Sequence, residues 1–213
     1  MYRRSAVLVA CAFAALAGLV AAGAFTRVDQ RAVDHAMPGG HFTSKSVSLF
    51  AGLVPLAHTH WDSGYSAAVN VVTLPASFLI AVAIVLATSR VLALALLASV
   101  AVEALCKEVL ERPALYDGAL HITAFDSSFP SGHTLRTVIV AAAVAWRWPR
   151  ISLVAAAWAL AAIVLLLLAG WHTPSDLLGG VVLGSLALLG ARGAGALRGR
   201  RLPRRSGGAA GSG

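Results

Sequence analysis

Six runs of apolar residues are spaced along the chain, and reactive polar residues gather at the ends of those runs rather than inside them. A hydrocarbon layer of roughly 30 Å requires about 20 apolar residues in a helix. Ser5–Phe25 supplies 21 consecutive residues without a charge, and Ile151–Trp171 supplies another 21. Val71–Thr88 supplies 18, and Val91–Leu110 supplies 20 with charges only towards its far end. Ser131–Trp146 is shorter and carries His133 and Arg136 near its start. Ser175–Ala191 has 17 residues, is glycine-rich, and contains Gly180-x-x-x-Gly184, a pattern that lets membrane helices approach closely. The run Ser46–Ala57, 12 residues with a central Pro55, is too short to span and reads as an interfacial or re-entrant piece. The pattern predicts an all-α, polytopic membrane protein. Its six-transmembrane-helix bundle covers residues 1–191, and a basic, disordered tail follows over residues 192–213.

Composition agrees, and it excludes a soluble single domain. Apolar residues make up 58% of the chain and charged residues 12%, where a soluble domain has about half and about a quarter. The charges set an orientation. With the N-terminus inside, the inner segments hold Arg3, Arg4, Arg90, Arg147, Arg150 and six tail arginines, eleven of the 17 Lys and Arg, without one acidic residue. All nine acids fall on the outer half, so both termini are expected in the cytoplasm of a cell-membrane protein. Arg3-Arg4 followed by an apolar run to Ala22-Gly23-Ala24 also fits a signal peptide, a competing reading of the first span. Cys11 and Cys106 sit in separate apolar runs and form neither a disulfide framework nor a zinc spacing; Cys11 is expected as a small buried hydrophobe. No aromatic residue is interleaved with the tail arginines, so anionic lipid rather than nucleic acid is their expected partner.

On this topology three polar sets meet at the outer face. The first is Lys107-Glu-Val-Leu-Glu-Arg112-Pro113 at the end of span 3. Ser128-Phe-Pro130-Ser131-Gly132-His133 opens span 4, and Trp171-His172-Thr-Pro-Ser-Asp176 opens span 6. Each has a structural explanation of its own. Lys107 has Glu103 and Glu111 four residues to either side and fits an ion-paired helix end. Pro130-Ser131 fits a helix start, and Thr173-Pro174-Ser175-Asp176 fits a capping box. Ionisable groups at membrane depth nevertheless mark function, and three sets at one face point to phosphoryl chemistry. Lys107 and Arg112 supply positive charge, while the start of span 4 supplies free N–H groups, with Gly132 letting the backbone come close. His172 and Asp176 are four apart. A carboxylate on one ring nitrogen fixes the tautomer and leaves the other nitrogen nucleophilic. His133 can then serve as the acid for the leaving oxygen.

Lys-x-x-x-x-Arg-Pro, Pro-Ser-Gly-His and His-x-x-x-Asp, each at a span end, resemble the type-2 phosphatidic acid phosphatase superfamily over roughly Val71–Ala191. The resemblance implies a membrane phosphatase acting on a lipid phosphate or diphosphate, of polyprenyl or phosphatidic acid type, without a metal or other cofactor. His172 would form a phosphohistidine, Asp176 would orient it and His133 would protonate the leaving group. Lys107, Arg112, Ser131 and Gly132 would hold the phosphate. Two departures from the family pattern stand out: Ala114-Leu115 occupy the place of a second Arg-Pro, and Leu165-Leu166 that of a Ser-Arg pair before the nucleophile. Arg136 either reaches back towards the phosphate in place of a missing arginine or pairs with Glu103 on the neighbouring span. The rival functions are a lipid phosphotransferase and, in another class, a non-catalytic transporter or scaffold of the same fold. Buried charge near the midplane in broken helices would favour the transporter.

Overall fold

The computed structural model describes residues 2–36 and 66–194. Within them the chain forms α1 (Tyr2–Ala21), α2 (Thr26–Ala36), α3 (Ser66–Thr73), α4 (Phe78–Thr88), α5 (Arg90–Val109), α6 (Gly132–Arg147), α7 (Ser152–Leu168) and α8 (Pro174–Gly193). A hairpin of two-residue strands, Tyr116–Asp117 and Leu120–His121, lies between α5 and α6. The described residues are therefore all-α apart from that hairpin. Each of the six apolar runs is helical. The short run at 46–57 and most of the basic tail lie outside the described residues; α8 itself continues to Gly193.

Four helical segments among the described residues are long and apolar enough to cross a membrane: Arg4–Ala21, Ala68–Thr88, Pro149–Leu168 and Pro174–Gly193. The other two expected spans are helices with a different balance. α5 carries Arg90, Glu103, Lys107 and Glu108, and α6 has only 16 residues and contains Arg136. The outward faces are apolar: Leu8, Leu79, Leu94, Leu105, Leu153 and Leu160 are all exposed. Apolar surface on that scale suits lipid rather than water. This is a membrane protein.

The expected span at 71–88 is broken in the middle. Pro75 has no N–H and ends α3, and a 3-10 turn at Leu74–Ala76 leads into α4. The break frees carbonyls that two side chains use. Trp158 Nε1 donates to Val72 O at 2.9 Å, and Arg136 Nε donates to Ala76 O at 2.7 Å.

α6 and α8 form the centre. α8 packs against α1, α5 and α6, while α6 also packs against α4 and α7. Gly180 and Gly184 permit this, as their spacing predicts. A side chain at Gly180 would press on the Ser131 carbonyl and Thr134, and one at Gly184 would crowd Val138. Phe129, fully buried, lies over Gly179. Phe13, Leu16 and Val20 mark the packed face of α1. Cys11 falls off that face and is exposed, contrary to expectation.

The end of α5, the starts of α6 and α8, and the turn after α1 all meet at one end of the bundle. Gly23, at φ 76°, turns the chain from α1 into α2 directly against Pro113. Arg90, Arg147, Arg150 and Arg192 therefore lie towards the opposite end.

Candidate active site

α5 stops at Leu110 because Arg112-Pro113 follows, and the residue before a proline is driven out of the helical region. Arg112 is thereby turned across the start of α8. α6 opens on Ser131, whose hydroxyl accepts the Thr134 N–H at 3.3 Å while its own N–H donates to Asp176 O at 2.9 Å. That bond ties the start of α6 to the first turn of α8. Thr173 caps α8: its hydroxyl receives the Asp176 N–H, and its N–H donates to Asp176 Oδ2 at 3.0 Å.

These caps bring the two histidines together. The His133 and His172 rings lie 6.0 Å apart between centroids, and Trp171 meets His133 edge-on at 5.9 Å. Asp176 is fully buried, and its Oδ2 lies 3.7 Å from His172 Nδ1. That separation exceeds a hydrogen bond, as catalytic contacts often do in an unliganded site. The structural and functional readings of Asp176 are not alternatives, because one carboxylate both caps α8 and faces the imidazole. His172 precedes the helix, so the capping turn, not a shared helix face, creates the pairing.

Of the three cations, Arg112 alone departs from its expected placement. Arg112 is not presented to a ligand. Its side chain is 2% exposed; Nη1 donates to Asp176 Oδ1 at 2.9 Å, and Nη2 donates to Asp29 Oδ2 at 2.7 Å. The Ser128 and Thr173 hydroxyls lie 3.4 Å from Nη1. Arg136 takes the structural one of its two roles: besides Ala76 O, it faces Glu103 Oε2 across 3.4 Å, with both side chains buried. Lys107 reaches the same carboxylate, at 2.6 Å from Oε1, and remains about one-third exposed. Gly132 makes room for that carboxylate, since a side chain there would collide with Glu103.

Two clusters therefore flank the start of α6. On one side are Asp29, Arg112, Asp176, His172 and His133, and on the other Lys107, Glu103 and Arg136. Asp29 was not visible as a site residue in the sequence. The only hint is its four-residue spacing from Val33, the other buried position of α2. No group of three or more His, Cys, Asp or Glu among the described residues is placed to hold a metal ion.

A family model described as the PAP2 superfamily matches residues 91–195. The match starts at α5 and takes in all three polar sets. Over this segment the chain is similar to the PAP2 superfamily. No curated protein and no solved structure matches it. Members of the PAP2 superfamily are phosphatases, which supports phosphoric ester hydrolysis as the activity of this chain. The match is narrower on its N-terminal side than the resemblance over 71–191, and it leaves out α2, which carries Asp29.

Proposed function

We propose that the protein is a membrane phosphatase that hydrolyses a lipid phosphate or diphosphate, of polyprenyl or phosphatidic acid type, through a phosphohistidine on His172. The observation that carries this reading is the pair of histidine rings 6.0 Å apart, one of them backed on Nδ1 by a buried carboxylate. Asp176 acts on Nδ1, so Nε2 is the attacking atom. Nε2 bonds to phosphorus as the phosphorus–oxygen bond to the lipid breaks, and the leaving alkoxide or phosphate takes its proton from His133. Water then attacks the phosphohistidine, giving up a proton to His133, and inorganic phosphate leaves. The α6 N-terminus at Gly132 and the partly exposed Lys107 receive the phosphate. Ser131 holds that helix start in place. Arg112 orders Asp176 and does not compete for the substrate.

Purified protein in detergent should release phosphate from at least one member of a panel of phosphatidic acid, phosphatidylglycerol phosphate and polyprenyl phosphates and diphosphates. Release should be lost in His172→Ala and should survive EDTA. An inactive wild-type protein across the whole panel would favour a non-catalytic relative, and loss on chelation restored by magnesium would contradict the phosphohistidine route.

The site is proposed to open to the outer leaflet of the cell membrane, with both termini inside. The arginines at the bundle end opposite the histidines support this reading. In a variant lacking Cys11 and Cys106, a cysteine replacing the exposed Leu120 should react with an impermeant thiol reagent on intact cells, and one replacing the exposed Pro149 should not. Reversed labelling would put the substrate in the cytoplasmic leaflet.

A further inference from the structure

Asp29 lies outside every motif, yet it is fully buried and its carboxylate bonds to residues of the site. Its Oδ2 accepts from Arg112 Nη2 at 2.7 Å and from the Ser175 hydroxyl at 2.6 Å, and its Oδ1 accepts from the Ser175 N–H at 3.0 Å. Ser175 N–H is one of the donors that the first turn of a helix leaves unpaired. A single carboxylate from α2 therefore caps α8 and holds one arm of the guanidinium whose other arm holds Asp176.

We propose that Asp29 is a positioning residue of the site: it fixes Asp176 through Arg112 and the start of α8 through Ser175, and so sets the orientation and tautomer of His172. The proposal rests on His172 being the nucleophile. The charged and titratable groups around that imidazole are Asp176 on α8, His133 on α6, Arg112 after α5 and Asp29 on α2, with Glu103 and Lys107 of α5 beyond Gly132. Arg112 shares its charge between two carboxylates. With Asp29 neutralised, the whole of that charge draws on Asp176 and pulls it from the imidazole, and an uncompensated cation disfavours the imidazolium.

Asp29→Asn should lower kcat by about 10- to 100-fold, the usual cost of losing an outer partner of a reactive group. KM should change little, because Lys107 and the α6 N-terminus are untouched, and the acid limb of the kcat/KM profile should move to lower pH. Ser175→Ala removes the hydroxyl bond to Asp29 and leaves the Arg112 pair in place; it should lower stability and leave the acid limb where it is. The 15N shifts of the His172 ring, assigned by difference from His172→Gln, provide a readout that needs no substrate. Wild type should show one dominant tautomer and Asp29→Asn a mixture. A wild-type protein that releases no phosphate removes the phosphatase reading, and the 15N shifts then decide the role of Asp29 alone. Folded Asp29→Asn with an unmoved acid limb and unchanged ring shifts overturns the proposal. If that variant does not fold, Asp29→Asn combined with Arg112→Gln removes both buried charges, and wild-type kcat and ring shifts in it overturn the proposal equally.

Discussion

Glu103→Gln is expected to destabilise the protein by about 3–5 kcal/mol, the cost of breaking a buried ion pair from one side. Arg136 is 7% exposed and has Glu103 as its only carboxylate among the described residues; Ala76 O alone cannot compensate a guanidinium there. The reverse change should be milder. Arg136→Met leaves Glu103 with Lys107 at 2.6 Å, and Lys107 is exposed enough to remain solvated. The double variant, with both charges gone, should recover most of the loss. Reversible unfolding of the four proteins in mixed micelles checks this order. Equal costs for the two single variants would mean that Lys107 does not hold Glu103. A double variant that recovers stability and keeps its activity would also confine Arg136 to packing.

His133→Ala is expected to slow release from an alkyl or polyprenyl phosphate by about 10²–10⁴-fold, the usual contribution of a positioned general acid. The same variant should lose far less on p-nitrophenyl phosphate, whose leaving group departs without a proton. His172→Ala should abolish both reactions, because no leaving group replaces a missing nucleophile. The two histidines sit 6.0 Å apart, so leaving-group dependence is what separates their roles in the reaction. Equal losses on both substrates in His133→Ala would make His133 a phosphate ligand rather than an acid.

The helices of the six apolar runs were legible in the sequence because each buries one face in the bundle and turns the other towards lipid, which leaves long apolar runs. The close approach of α8 to a neighbouring helix was legible in Gly180 and Gly184, and the start of α8 in its capping box. Two kinds of feature were not. Pro75 sits inside an apolar run, so hydropathy gives one span where the backbone makes two segments. The partners of Arg112 are the other kind. Basic residues near span ends resemble phosphate ligands, and nothing in one dimension reveals that Arg112 meets a carboxylate 83 residues upstream, whereas the pairing of Arg136 with Glu103 was one of the two readings that the sequence offered. Asp29 was hidden for the same reason. It belongs to a short helix of mixed charge, and its partner Ser175 lies 146 residues away.

If His172 carries the phosphoryl group, rapid acid-free quenching of purified protein mixed with 32P-labelled lipid phosphate, followed by separation of protein-bound label, should capture it there. Wild type should trap a base-stable, acid-labile phosphoprotein with the label on the peptide containing His172, and His172→Ala should trap none. Rapid turnover by wild type with no bound label at any quench time, or the same label on the His172→Ala protein, would contradict that role of His172.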